Sequence, residues 1–257
     1  MELGLVDKVA VVLGATSGLG RATAEALAAE GARLVVVGRR KELVDELATS
    51  LPSAVGVVAD VTDPDSPARI AEAAREAFGP VDVLVLNGGG PAPGAAPDMS
   101  ADDARAAADL LLTPHVAMVQ QVLPGMRERG WGRILAIGSS GVQQPIATLT
   151  ASNVGRAALA AYLKTLAGSV ARDGVTVNMV LPGRIDTDRV ASLDAAAAER
   201  TGKDAAAVRD ASEAAIPTGR YGAPAEFAAV VTFLAGQPAA YVTGEQVRCD
   251  GGMVAAY

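Results

Sequence analysis

Val9-Ala10-Val11-Val12-Leu13-Gly14-Ala15-Thr16-Ser17-Gly18-Leu19-Gly20 decides how the rest of the chain is read. Five apolar residues run directly into a glycine-rich turn, and an alanine-rich stretch of helical period follows from Leu19 to Glu30. A short apolar run that does not alternate reads as a strand covered on both faces. Glycines let the backbone turn tightly and approach a bound phosphate. The helix that follows offers free N–H groups and a partial positive charge. The expectation is a strand, a phosphate-binding turn and a helix. Gly14, Thr16, Ser17, Gly18, Leu19 and Gly20 would form the cradle of a dinucleotide.

The same alternation continues along the chain. Strands are expected near Val9–Leu13, Arg33–Val37, Ala54–Val58, Val81–Leu86, Arg133–Ile137, Val175–Val180 and Gln246–Arg248. Helices are expected near Leu19–Glu30, Lys41–Leu51, Pro64–Phe78, Ala101–Arg129, Ala151–Arg172 and Pro224–Ala235. Repeated strand–helix units imply right-handed crossovers. They predict a single α/β domain over 1–257, a Rossmann-type doubly wound parallel sheet of about seven strands with helices on both faces. Ligands then bind beyond the carboxyl ends of the strands. Two segments read as mobile: Gly88–Asp98, rich in Gly and Pro, and Asp186–Pro217, an expected lid over the site.

Composition narrows the function. Half of the residues are apolar but only 3% are aromatic, so alanine, valine and leucine must fill the core. Net charge is −7, which disfavours nucleic acid or an anionic membrane as partner. No apolar stretch approaches the roughly 20 residues that span a bilayer. The N-terminus shows no signal-peptide pattern. One cysteine, Cys249, fits a reducing cytoplasm, with its side chain expected to be buried on the last strand. No metal site is expected. The alanine runs read as helix rather than disorder.

The turn pattern is Gly-x-x-x-Gly-x-Gly. With it come Asp60-Val61-Thr62-Asp63, Asn87-Gly88-Gly89-Gly90 and Asn178-Met179-Val180-Leu181-Pro182-Gly183. Pro217-Thr218-Gly219-Arg220-Tyr221-Gly222-Ala223-Pro224, Tyr241-Val242-Thr243-Gly244 and Asp250-Gly251-Gly252 follow. Across nearly its whole length the chain resembles the short-chain dehydrogenase/reductase family, and within it 3-oxoacyl-carrier-protein reductase-like members. The resemblance implies that Asp60 hydrogen-bonds adenine with Val61 packed beside it, and that Asn87, Gly88 and Gly89 line the ribose. It implies that Pro182, Gly183, Ile185 and Thr187 cradle the nicotinamide. It also implies a homo-oligomer, a tetramer or dimer, paired through the helices after the fourth and fifth strands and through the last strand.

The second strand ends Val37-Gly38-Arg39-Arg40, where an NAD-preferring enzyme usually carries a carboxylate for the ribose hydroxyls. Guanidinium pairs with phosphate in fork geometry. The expectation is NADP(H) over NAD(H), with Arg39 and Arg40 at the 2′-phosphate and Arg39 the main ligand.

The family's usual catalytic set is Asn-Ser-Tyr-Lys. The serine is present as Ser139. In the register fixed by Lys164-Thr165-Leu166-Ala167, Ser152 stands at the tyrosine position, Arg156 at the lysine and Leu111 at the asparagine, as in a divergent branch. Ser152 and Arg156 are four apart and share a helix face. Arginine stays protonated, so it can bind ribose hydroxyls or stabilise negative charge, while a serine hydroxyl is a poor acid. Losing general acid catalysis costs about 10²–10⁴ in rate. Positioning alone supplies about 7–11 kcal/mol, so hydride transfer survives with a proton from water or substrate. Tyr162 falls on another helix face. His115, the only histidine, reads as a structural or interface residue. Gln143, Gln144 and Arg184 are candidates for the substrate pocket, Arg184 toward an anion.

The leading expectation is an NADP(H)-dependent oxidoreductase acting on a carbonyl or related electrophile through Ser139, Ser152 and Arg156. The alternatives are a nucleotide-binding scaffold without turnover, and non-redox isomerase or lyase chemistry on the same fold.

Overall fold

Val9, Val11 and Leu13 bury themselves on one side of the first strand, and Ala10 and Val12 on the other. Both faces of the sheet are therefore covered, as the unbroken apolar run requires. The computed structural model describes residues 1–255. Its strands are β1 (Val9–Val12), β2 (Arg33–Gly38), β3 (Ala54–Val58), β4 (Val83–Leu86), β5 (Gly132–Ile137), β6 (Val175–Pro182) and β7 (Gln246–Cys249). They form one parallel sheet in the order β3-β2-β1-β4-β5-β6-β7. The register places Val9 opposite Arg33 of β2 and Ala10 opposite Val83 of β4.

The helices are α1 (Gly18–Ala29), α2 (Lys41–Ser50), α3 (Ser66–Ala77), α4 (Ala101–Leu111), α5 (Thr113–Glu128), α6 (Thr150–Val170), α7 (Asp188–Thr201), α8 (Ala205–Ala214) and α9 (Pro224–Ala235). One core layer joins α3, α5 and α6 to the sheet through Ile70, Met118, Val122, Leu159 and Leu163. The other joins α1, α2 and α9 through Leu27, Leu47, Phe227 and Val231. The chain leaves β1 toward β2 and β3, then returns to place β4 on β1's other side. A crevice opens at that reversal, beyond the strands' carboxyl ends.

Two features depart from the sequence reading. The helix expected over Ala101–Arg129 is two, because Leu112 (φ −118°, ψ −62°) breaks it. Pro114 is the cause: it has no N–H for the Leu110 carbonyl, and its ring would crowd that turn. Edge strand β3 alternates partial burial with exposure at Gly56 and Val58, so it is covered less fully than the central strands. The segment 186–217 is mostly helical, as α7 and α8. No helix among the described residues is long and apolar enough to cross a membrane.

Candidate active site

The crevice holds a cavity of about 750 Å³ that runs from the end of β2 to α7. Its floor is the turn after β1. Gly14 (φ 58°) and Gly18 (φ 54°) take left-handed backbone that side chains disfavour. Gly20, in the first turn of α1, has no room for a Cβ, which would lie 2.2 Å from the Gly14 carbonyl oxygen. Ser17 caps α1 in extended conformation without a side-chain hydrogen bond, leaving the first-turn N–H groups available. These are the features of a phosphate cradle, and the residues fit a dinucleotide.

Asn87, at the end of β4, donates both its amide bonds inward, to the carbonyls of Leu13 (3.1 Å) and Gly14 (3.2 Å). Its side chain braces the phosphate turn, a positioning role the sequence reading did not foresee. Gly88 and Gly89 line the cavity beside it.

At the far end, Gly38 explains why no carboxylate follows β2. A Cβ there would lie 2.5 Å from Thr16 Cγ2. Arg40 Nη2 donates to Thr16 Oγ1 at 3.4 Å, and Arg39 is exposed, 3.7 Å from Asp60. Asp60 Oδ1 accepts from the Thr62 N–H (3.0 Å) and hydroxyl (2.7 Å). These bonds, aided by Arg39, hold the carboxyl below its ordinary pKa. Oδ2 faces Arg39 and remains able to accept a further bond. Val61 lines the same end.

At the near end, Ser139 ends β5's extension. Its Oγ accepts from the Gly141 N–H at 3.1 Å, which leaves the hydroxyl hydrogen free to donate into the cavity. Ser152, buried on α6, and Arg156, one turn later, line the same wall. Arg156 Nη1 donates to the Ile137 carbonyl at 2.8 Å. Burial, with Arg189 adding repulsion, lowers its pKa to about 10, so it stays cationic at neutral pH. Asn153, between them, donates to the Ile146 carbonyl (2.9 Å) and accepts from the Ile146 N–H (3.3 Å), pinning the loop after Ser139 to α6. Pro182, Gly183, Ile185 and Thr187 line the roof. Thr187 caps α7, its Oγ1 accepting from the Val190 N–H at 3.4 Å.

The substrate assignments of the two glutamines need correction. Gln143 and Gln144 do not line the cavity: Gln143 Nε2 donates to Gln246 Oε1 (3.2 Å), and Gln144 Oε1 accepts from the Ala255 N–H (3.4 Å). The loop turns both amides toward the chain's C-terminal segment. Arg184 reaches the cavity but is paired with buried Asp194, which also accepts from the Tyr221 hydroxyl at 2.8 Å. Its charge is already compensated. His115 lies outside the cavity wall. Its Nδ1 donates to the Leu111 carbonyl (2.8 Å) freed by the Pro114 break, and Nε2 is buried without a hydrogen-bond partner among the described residues. Cys249 is half-buried on β7, and burial pushes its thiol pKa up.

Residues 14–254 match the family model described as enoyl-(acyl carrier protein) reductase. The 3-oxoacyl-[acyl-carrier-protein] reductase FabG of Vibrio cholerae is 34% identical over 259 residues, covering 98% of this chain and 99% of that protein. The chain belongs to the short-chain dehydrogenase/reductase family. Two solved structures of that fold superpose closely. L-sorbose reductase from Gluconobacter frateurii, complexed with NADPH and L-sorbose, has a TM-score of 0.94 at 32% identity, with all of both chains covered. Actinorhodin polyketide ketoreductase with NADPH has a TM-score of 0.90 at 33% identity, covering 96% of this chain and 97% of that one. This short-chain dehydrogenase/reductase thus shares fold and sequence with reductases whose structures hold NADPH.

Proposed function

We propose that the protein is an NADP(H)-dependent oxidoreductase acting on a carbonyl or alcohol, or on a related electrophile such as an imine or conjugated double bond. The observation that carries this reading is that Ser139, Ser152 and Arg156 open into the same cavity as the glycine cradle. When bound, NADPH supplies the hydride. The Gly14–Gly20 turn binds the pyrophosphate, with the Gly18 and Leu19 backbone at the start of α1. Arg39 and Arg40 would hold the 2′-phosphate, and Asp60 would hydrogen-bond the adenine. Pro182, Gly183, Ile185 and Thr187 hold the nicotinamide in place.

Ser139 donates its free hydroxyl hydrogen to the acceptor oxygen, and Ser152 adds a second bond. Arg156 binds ribose hydroxyls and stabilises the negative charge that grows on that oxygen. This Ser-Ser-Arg set stands where the family's usual pattern is Ser-Tyr-Lys, and the proton comes from water entering the cleft. Helices α7 and α8 act as the lid. A homo-oligomer through α4, α5, α6 and β7 is part of the same reading.

The test is calorimetric titration with NADPH and NADH, followed by turnover of a carbonyl panel by the native protein, Ser139→Ala and Arg156→Ala. NADPH is expected to bind more tightly. Loss of one oxyanion donor is expected to lower kcat by about 10²-fold. Turnover that is unchanged in both variants would refute the assignment.

A further inference from the structure

The cavity is positive inside an acidic protein. Six arginines line it, Arg39, Arg40, Arg156, Arg184, Arg189 and Arg200, against only Asp60 and Asp188, in a chain of net charge −7. Low-dielectric walls concentrate such a field and draw in anions. Part of the charge is accounted for. Arg39 and Arg40 stand at the 2′-phosphate end, and Arg184 is paired with Asp194.

Arg156 and Arg189 are not compensated. Arg156 is half-buried, and among the described residues its bond goes to a neutral carbonyl. Arg189 makes one bond, from Nη2 to the Pro91 carbonyl at 3.1 Å, and no carboxylate pairs with it among the described residues. The two repel each other. Arg189 is exposed, so solvent screens much of that repulsion, and neither guanidinium is offset by a carboxylate among the described residues, which leaves both able to attract an anion that enters the cavity.

The cofactor does not supply that anion. In the proposed reading its pyrophosphate belongs to the turn at Gly14–Gly20 and its 2′-phosphate to Arg39 and Arg40. Arg189 reaches instead toward Gly90, where an added Cβ would lie 3.4 Å from Nη2. The same cavity also carries the apolar side chains of Leu110, Ile146, Leu149, Val190, Leu193 and Met253. Val190, Leu193, Ala197 and Arg200 recur at helical spacing, so one face of α7 looks into the cavity and ends in the exposed guanidinium of Arg200, which pairs with no carboxylate among the described residues.

We propose that the substrate carries a carboxylate beside its reducible carbon, with an apolar body, and that Arg189 is its specificity-determining ligand. The planar fork of Arg189 matches two carboxylate oxygens, Arg156 adds its field, and Arg200 steers entry. The proposal rests on the reductase reading for where the reacting carbon lies. The reaction is then R–CO–CO₂⁻ + NADPH + H⁺ → R–CHOH–CO₂⁻ + NADP⁺. Hydride forms the new C–H bond, the carbonyl π pair moves to oxygen, and solvent supplies the proton.

The test pairs benzoylformate with its methyl ester, which share a carbonyl and differ in charge. Binding of each to the NADP⁺-loaded protein is measured by calorimetry, and turnover by NADPH oxidation. The acid is expected to bind at least ten-fold more tightly than the ester, and Arg189→Met to bring it down to the ester's affinity. Arg189→Lys is expected to keep part of the difference. Equal affinities, a preference that persists in Arg189→Met, or binding of neither probe overturns the proposal. So does an equal loss of NADP⁺ affinity in Arg189→Met, which would assign this arginine to the cofactor. Arg189-dependent binding of the acid without turnover supports the anion site and sinks the reductase reading. Equal turnover of acid and ester sinks the anion site alone.

Discussion

Arg39 and His115 show how much a single residue decides. Arg39 is exposed and its one ion pair, with Asp60, is long, so its side chain is free to turn toward a phosphate. A charge-assisted bond to phosphate is worth about 1.5–3 kcal/mol. Arg39→Asp replaces that with repulsion, so calorimetry should show NADPH binding fall by about ten-fold or more. NADH, which lacks the phosphate, should change little; equal losses would refute the role. His115 acts on stability instead. Burial holds its imidazole pKa below the ordinary 6.5. Below that pH the unfolded chain takes up a proton that the folded ring resists. Stability is therefore full above 6.5 and falls as pH drops toward the lowered folded pKa, by at most about 1.4 kcal/mol per pH unit. His115→Asn keeps a donor for the Leu111 carbonyl but removes the titration. Denaturant unfolding at a series of pH values should show a shallower acid limb for the variant than for the native chain.

At the scale of elements, α7 is held to the body by a short network. Tyr221 donates to Asp194 on α7, Asp194 pairs with Arg184, and Asp186 N–H bonds to the Gly222 carbonyl at 2.9 Å. Removing a bond to a charged, buried acceptor costs about 1.5–3 kcal/mol. Tyr221→Phe should raise amide exchange across 188–201 and raise KM more than it lowers kcat, while exchange in β1 and β4 stays slow. This network was not legible in the sequence, because Arg184, Asp194 and Tyr221 meet only in the fold. The same holds for Gln143 with Gln246 and for Asn153 with Ile146. Local requirements were legible: strands apolar on both faces, glycines where a turn needs left-handed backbone, and serine and arginine four apart on one helix face. The break at Leu112 lay between these cases. Pro114 announced it, but the alanine-rich flanks read as one continuous helix.

At the scale of the molecule, the cavity draws walls from the ends of β1, β2, β4, β5 and β6 and from α6 and α7, so a bound nucleotide ties together segments from most of the sheet. A ligand that binds only this assembled state stabilises the whole chain. At a hundred times its Kd it adds about 2.7 kcal/mol. For a domain of this size each kcal/mol moves Tm by roughly 2–4 °C, so NADPH should raise it by about 5–10 °C. NADH at the same concentration, if bound ten-fold more weakly, adds about 1.4 kcal/mol and so about half the shift. Scanning calorimetry distinguishes the cases. A larger shift with NADH would move the specificity away from Arg39 and Arg40. No shift with either would mean that the glycine turn is closed to nucleotides, because a cradle built on so many strands cannot bind without being felt in the unfolding of the sheet.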